Sequence, residues 1–284
     1  MNMTRAWLIL ADILVTVLLL ISLILFYLYP VKFVNDKVDT VSIPTKTEQN
    51  ITMTWEEFLR MAGKDLYKDM YTEEIIYNKY LDDTLDKRLK VLSAKEGDPL
   101  FIRIFKKEAL LEVWIRSNEV YKHLKDYRIC AYSGELGPKE KEGDKQSPEG
   151  FYKVKKHHLN PNSKFYLSFN LGYPNTYDKA HKRTGSFLMV HGNCVSIGCY
   201  AMTDEKMEEI YALVEAALDQ GQKYVQVHVY PFYMTEENMA LYAESKWYDF
   251  WINLKEGYDY FESEHLPPYI KVEKKHYSIH EAKE

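Results

Sequence analysis

The sequence predicts a mostly-β fold with flanking helices, preceded by an N-terminal transmembrane helix. Three observations support this prediction. Short runs of alternating apolar and polar residues recur between residues 99 and 235, as expected of half-buried strands. One amphipathic run with a capping residue, 203–221, predicts a helix within that region. The first thirty residues carry one long apolar run.

Composition narrows the class of partner. The chain has 284 residues and a formal net charge of -5, without a strongly basic patch, so nucleic acid is not an expected partner. Aromatic residues make up 14% of the chain, including 24 tyrosines. This content suits either a strand-rich core or a surface that stacks on peptides or sugars, and we favour the core.

The N-terminal segment 1–30 is predicted to be an uncleaved signal-anchor. Residues 6–30 read AWLILADILVTVLLLISLILFYLYP, a run long enough to cross a bilayer as a helix. It is longer than a signal-peptide core and no small-x-small cleavage site follows it. We therefore expect residues 6–29 to cross a membrane, with Asp12 near the wet interface.

Residues 31–98 are predicted to be a tether followed by helices. The polar segment 31–53 has an extended character. TWEE at 54–57 forms a capping box, which predicts a helix to about Lys68. A second helix is expected from Thr72, because one helical face carries the leucines Leu81, Leu85, Leu89 and Leu92.

The domain predicted at 99–235 begins with a hairpin. LFIRIF (100–105) and LLEVWI (110–115) alternate on either side of a short polar turn. The segment 135–150 is rich in glycine, proline and charge, and is either a mobile lid or a solvated loop. Further strands are predicted at 127–134, 150–156, 165–171, 186–190 and 224–232.

The predicted helix TDEKMEEIYALVEAALDQG has clear ends. Thr203 or Asp204 caps it, acidic residues fill its first turn, and Gly221 ends it. Residues 236–284 form a polar and aromatic C-terminal extension, with helical stretches expected around 236–255.

The segment HGNCVSIGC, 191–199, contains the candidate metal-binding and catalytic side chains. His191, Cys194 and Cys199 provide three potential zinc ligands, but structural zinc prefers four, in close pairs, and no second cluster lies nearby. A disulfide between Cys194 and Cys199 would close a short, strained loop. A pair between Cys194 and Cys130 is possible if their strands are neighbours. We favour the alternative, in which both cysteines are unpaired and act as small buried apolar side chains.

A thiol nucleophile fits the same segment best. Such a site needs a thiol on a tight turn, a base within reach and amides that receive an oxyanion. Ser196 to Cys199 supplies the turn, and Gly198 leaves room for a substrate carbonyl. His191 ends a predicted buried strand and is the candidate base, which would lower the thiol pKa by ion pairing. The amides of Gly198, Cys199 and Tyr200 are candidate oxyanion donors.

HGNCVSIGC resembles the HG…S-x-G-C signature of L,D-transpeptidase (YkuD-type) catalytic domains, and more narrowly their YafK-like murein branch. The resemblance covers roughly residues 99–235 and implies an L,D-transpeptidase-like β-sandwich with a cysteine at the mouth of a groove. It extends over four further segments: IRIFKKEALLEVW (102–114), YRICAYSGELGPKEKEGDKQSPEGFYKV (127–154), NLGYPNTYD (170–178) and GCYAMTD (198–204).

The resemblance implies roles for individual residues. Cys199 would be the nucleophile, His191 its base, and the Gly192 carbonyl would orient the imidazole. The oxyanion site and its turn would comprise Ser196, Gly198 and Tyr200. Most members of the wider family carry an arginine directly after the cysteine, whereas Tyr200 stands here, so the substrate pose of the wider family does not transfer.

The implied substrates are peptidoglycan stem peptides, without cofactor or metal. Cys199 would attack a carbonyl of an L-centre on diaminopimelate and form a thioester. An acceptor amine would then give an L,D cross-link. Water would instead give L,D-carboxypeptidase or endopeptidase activity, including cleavage of cross-links or release of a wall-attached lipoprotein.

The anchor predicts a single-pass membrane protein. The resemblance implies that residues 6–29 contact the bacterial inner membrane and that the catalytic domain lies in the periplasm, held near the membrane by the tether. There it would remodel the wall locally, beside an envelope-spanning complex. Two alternatives from other classes remain: a non-catalytic peptidoglycan-binding scaffold that supports such a machine, and a zinc-stabilised structural domain.

Overall fold

The computed structural model describes residues 40–44, 50–54 and 84–282. The chain divides into two compact units, 1–82 and 83–284. In the first unit, strands β1 (Thr40–Pro44) and β2 (Asn50–Thr54) form an antiparallel hairpin where an unpaired tether was expected. Thr54 is the last residue of β2.

The transmembrane segment predicted at 1–30 and most of the helical region predicted at 54–83 lie outside the described residues. No helix among the described residues has the length and apolarity needed to cross a membrane.

The second unit contains a five-stranded sheet of order β5-β4-β3-β11-β6. The central pair, β3 and β11, is parallel, and the other pairs are antiparallel. The predicted β3–β4 hairpin is confirmed. The strands are β3 (Leu100–Phe105), β4 (Leu110–Ser117), β5 (Val120–Arg128), β6 (Gly150–Val154) and β11 (Val225–Tyr230).

A four-stranded sheet of order β10-β9-β8-β7 flanks the segment HGNCVSIGC, because β9 ends at His191 and β10 begins at Tyr200. Its β9–β10 pair is parallel, and its other pairs are antiparallel. A short 3-10 helix, Lys156–His158, leads into it. The strands are β7 (Leu159–Ser163), β8 (Tyr166–Asn170), β9 (Met189–His191) and β10 (Tyr200–Ala201).

Five helices and a C-terminal hairpin complete this unit as described. The predicted amphipathic helix is α3, capped by the Thr203 hydroxyl, which accepts from the Lys206 N–H. The helices are α1 (Leu85–Val91), α2 (Thr176–Ala180), α3 (Asp204–Asp219), α4 (Glu236–Leu241) and α5 (Tyr248–Glu264). The hairpin strands are β12 (Tyr269–Glu273) and β13 (His276–His280).

The five-stranded sheet is buried on both faces. All six residues of β3 are buried, although its alternation predicted one wet face. Ile102 and Ile104 pack in a core shared with α3 and the four-stranded sheet. Phe105 packs on the other face, against Trp251 and Leu254 of α5. The C-terminal extension therefore supplies the second layer, because strands buried on both faces need a cover on each.

Three predicted segments differ in the structure. The third strand begins at Val120 rather than at Tyr127. The expected buried strand 186–190 pairs only from Met189, and Phe187 is 72% exposed with a φ of 55°. The segment 269–280, expected to be polar extension, forms β12 and β13.

The loop 135–150 is anchored rather than free. The buried Lys106 ammonium donates to the carbonyl oxygens of Glu135, Gly137 and Ser147 at 2.8–3.1 Å and pairs with the Glu149 carboxylate at 3.1 Å. Both ends of the loop are thereby held by one cation. The lid role of this segment stays a prediction.

Truncation of a side chain on α5 tests whether this helix belongs to the core. We expect Leu254→Ala, at a position that is 0% exposed, to lower the free energy of unfolding by about 2–5 kcal/mol. Ile252→Ala is the matched control, because that side chain is 44% exposed on the same helix and should change stability by less than about 0.5 kcal/mol. Urea unfolding measures both; equal effects would contradict the packing.

Candidate active site

Strand register brings the segment that carries Cys199 back beside the strand that ends in His191. In the β9–β10 pair, Tyr200 lies opposite Val190 and Ala201 opposite His191. Val190 and Tyr200 face the core. Since side chains alternate along strands, Ala201 and His191 face the other way. Cys199 directly precedes β10, at the end of the short loop 192–199.

The His191 imidazole is held in one tautomer. Its Nδ1 lies 2.6 Å from the Gly192 carbonyl oxygen. Because a carbonyl only accepts, Nδ1 carries the proton and Nε2 keeps a lone pair. The ring is buried, with the Phe165 ring at a centroid distance of 4.6 Å. Burial lowers the pKa of His191, opposed by the Gly192 hydrogen bond, so the imidazole is a neutral base at neutral pH.

Gly192 is required by close packing. A Cβ at this position would lie 2.5 Å from the Asp204 Oδ1 and 3.1 Å from the Phe165 carbonyl oxygen. Asp204, the first residue of α3, also accepts from the Asn193 N–H at 2.7 Å. The start of α3 therefore fixes the backbone that follows the histidine, a role beyond the helix cap that the sequence predicted.

Ser196 shapes the turn that presents Cys199. Its hydroxyl donates to the Cys199 carbonyl oxygen at 2.7 Å and accepts from the Gly198 N–H at 3.1 Å. Gly198 has a φ of 146°, in the region that favours glycine. The Gly198 amide, one of the candidate oxyanion donors, is bonded to the Ser196 hydroxyl in this structure. The amides of Cys199 and Tyr200 stay as predicted donors.

The Tyr200 side chain is structural. It is fully buried, and its hydroxyl donates to the Pro148 carbonyl oxygen at 2.7 Å. The Ser147 hydroxyl donates to the Cys199 carbonyl oxygen at 3.3 Å. The anchored loop 135–150 therefore braces the nucleophile turn. The sequence offered no signal for these contacts, because they join residues far apart in the chain.

The Cys199 thiol is protonated at rest. Burial raises its pKa, whereas a hydrogen bond from the Met189 backbone and the positive charge of Lys139 lower it. The thiol donates weakly to the Phe187 carbonyl oxygen, with an Sγ–O distance of 3.6 Å. The lowering of the thiol pKa by ion pairing with His191, expected from the sequence, is therefore not seen: burial raises the pKa of the thiol and lowers that of the imidazole.

Cys130 and Cys194 form a disulfide, with 5.2 Å between their Cα atoms. Both residues are exposed, so the expectation of two small buried side chains is wrong. Their backbones flank one segment: the Cys130 N–H donates to the Ala201 carbonyl and the Cys194 N–H to the Met202 carbonyl. The bond removes Cys194 from any zinc set. Within 84–282, no three His, Cys, Asp or Glu side chains are grouped to hold a metal ion.

Comparison with known proteins identifies relatives of this arrangement. Residues 99–229 match the family model of the L,D-transpeptidase catalytic domain, YkuD. The chain is 51% identical over 176 residues to "Putative L,D-transpeptidase YafK" of Escherichia coli, which covers 62% of this chain and 72% of that protein. These matches confirm the resemblance carried by HGNCVSIGC.

Two solved structures are more distant. A variant of the helical cell shape determining protein Pgp2 from Campylobacter jejuni has a TM-score of 0.39 and 20% identity, covering 63% of each chain. Bd1075 of Bdellovibrio bacteriovorus has a TM-score of 0.35 and 17% identity, covering 52% of this chain and 57% of that one. The chain thus spans less than two thirds of either structure.

Thiol labelling tests the assigned oxidation and protonation states. Without reductant, we expect iodoacetamide to modify one of the three cysteines, Cys199, because the other two are paired. Since burial raises the thiol pKa, the thiolate is scarce at neutral pH, and the labelling rate should rise as the pH increases through that raised pKa.

The full-length chain is labelled across a pH series, with glutathione as the reference thiol and Cys199→Ser as the control that should take up no label. Labelling of a second cysteine, or a rate already maximal at neutral pH, would contradict the assignment.

Proposed function

Because the chain belongs to the L,D-transpeptidase family of peptidoglycan-modifying enzymes, we propose that it acts on peptidoglycan stem peptides through a thioester on Cys199. One observation carries the proposal. Cys199, the unpaired thiol of the described residues, directly precedes β10, which pairs in parallel with the strand that ends in His191. The Nδ1 proton of His191 is bound to the Gly192 carbonyl, so its Nε2 is left as an acceptor.

The first half-reaction follows from this arrangement. His191 Nε2 takes the Cys199 proton as the thiolate attacks the carbonyl carbon at the L-centre of the stem peptide. The carbonyl oxygen gains the negative charge and is stabilised by the backbone amides at Cys199 and Tyr200. Collapse breaks the peptide bond, and the leaving amine takes the proton from His191. A thioester and a neutral imidazole remain.

The second half-reaction runs in reverse with a different nucleophile. His191 deprotonates the acceptor as it attacks the thioester, and the proton returns to the departing Cys199 sulfur. An acceptor amine gives an L,D cross-link, and water gives L,D-carboxypeptidase or endopeptidase hydrolysis. The rim of the site is open, since Phe187, Val195 and Ile197 are all more than half exposed, so both acceptors have access.

The substrate pose differs from that of the wider family. The arginine usual after the nucleophile is replaced by Tyr200, whose side chain points into the core and bonds Pro148. Ala201, the next residue, is also fully buried. No guanidinium is therefore available at this point of the turn, and a substrate carboxylate must be recognised elsewhere.

Muropeptide analysis tests the reaction. Purified sacculi are digested with the full-length wild type and with Cys199→Ala, and the products are identified by mass spectrometry. The wild type should produce L,D cross-linked dimers if an amine accepts, tripeptides if it trims stems, or fewer cross-links if it cleaves them. The Cys199→Ala variant should produce none of these changes, because it has no nucleophile.

Continued turnover by that variant would exclude Cys199 as the nucleophile. Unchanged sacculi, bound equally well before and after alkylation of Cys199, would support the scaffold alternative.

The proposal includes a location. We place residues 6–29 in the bacterial inner membrane as a single span and the catalytic domain in the periplasm, beside an envelope-spanning complex. The apolar run supports the anchor. The Cys130–Cys194 disulfide supports an oxidising compartment, where such bonds persist.

Protease accessibility tests this location. Protease added to spheroplasts should degrade the catalytic domain, while a cytosolic marker protein stays intact until the membrane is lysed. Protection of the domain in intact spheroplasts would place it on the cytosolic side and overturn this part of the proposal.

A further inference from the structure

Ser168 is a buried hydroxyl that the reaction described above does not use. It lies in β8 and is 0% exposed. Its Oγ has no hydrogen-bond partner among the described residues. Buried hydroxyls are nearly always paired, so an unpaired one beside a reacting group calls for a functional explanation.

The sheet register places Ser168 next to the base. In the antiparallel β8–β9 pair, Ser168 lies directly opposite His191. Residues opposite one another in such a pair point to the same face, with Cβ atoms about 4.5–5.5 Å apart. Ala201 lies opposite His191 on the other side, in β10. The imidazole therefore stands between Ser168 and the strand that Cys199 precedes.

No charged side chain accounts for stabilisation of a protonated His191. Burial lowers its pKa, and only the hydrogen bond to the Gly192 carbonyl opposes this. Among the described residues, Tyr166 of β8 and Asp204, which is bonded to the Asn193 amide, approach Gly192, the residue after His191. Cys199 precedes the strand that pairs with β9. A carboxylate partner of the kind found in many base–nucleophile pairs is not among these contacts of His191.

We propose that Ser168 is a positioning residue that stabilises the imidazolium form of His191. In the resting site the single N–H of the neutral ring is bound to Gly192, so the hydroxyl has no donor to accept from. When the Cys199 proton moves to Nε2, the ring becomes a cation. The Ser168 hydroxyl then turns its oxygen toward that cation and keeps its own proton. In a dry site such a dipole acts strongly.

The inference rests on the proposed function only in that His191 receives the thiol proton, so its test needs no peptidoglycan. Iodoacetamide reacts with Cys199 by two routes. At neutral pH the thiol must first lose its proton to His191, whereas at alkaline pH the thiolate exists without an imidazolium. Ser168 assists only the first route.

We expect Ser168→Ala to slow labelling of the full-length chain about tenfold at neutral pH, as for a hydrogen bond to a charged group that shifts the His191 pKa by about one unit. The alkaline plateau should not change. Ser168→Thr retains the hydroxyl and should restore the neutral-pH rate. Should Ser168→Ala fail to fold, the isosteric pair Ser168→Thr and Ser168→Val carries the same comparison.

A general loosening of the site would alter both pH regions together, and that result, or an unchanged neutral-pH rate, would overturn the proposal. Thr and Ala variants that are equally slow would overturn it as well. Failure of the proposed function looks different: the wild type would leave sacculi unchanged while the Ser168 effect on labelling persisted.

Discussion

The parallel pairing of β9 with β10 is the constraint on which the site depends. Parallel neighbours ordinarily need a crossover of about a dozen residues or more. Here the short loop 192–199 suffices, because β10 has only two residues, Tyr200 and Ala201. So short a pair holds its register only through its surroundings. The Cys130–Cys194 disulfide and the Asp204 carboxylate each tie this loop to a different part of the domain, and the Ser196 hydroxyl braces the loop from within.

A buried ion pair connects the site to the C-terminal part of the chain. The Glu149 carboxylate pairs with the Lys106 ammonium and accepts from the Gly137 amide and the Trp251 indole. One carboxylate thus joins the residue that follows β3, the loop 135–150 and α5. The same loop braces the nucleophile turn. Removing one partner of such a pair would leave a charge buried and unpaired, which is strongly destabilising. Residues outside the 99–229 family match thus support the chemistry inside it.

Burial also determines how the site is charged. The dry face that holds Cys199 and His191 disfavours both charged forms, raising the pKa of the thiol and lowering that of the imidazole. In the proposed reaction the ion pair would form as the thiol proton moves, so the groups that stabilise it must already be in place. Backbone groups do much of this: the Gly192 carbonyl orients the base, and the Met189 amide faces the sulfur.

The sequence by itself determined several local elements and the candidate catalytic pair. Alternation in 100–105 and the cap at Thr203 predicted β3 and α3, and the spacing in HGNCVSIGC singled out Cys199 and His191. Only the tertiary structure decided that Cys194 pairs with Cys130, that the Gly198 amide is occupied, that α5 covers the sheet and that Ser168 lies beside the base. The physical reason is that local patterns report one face of one element, whereas these features depend on the register between strands distant in the chain.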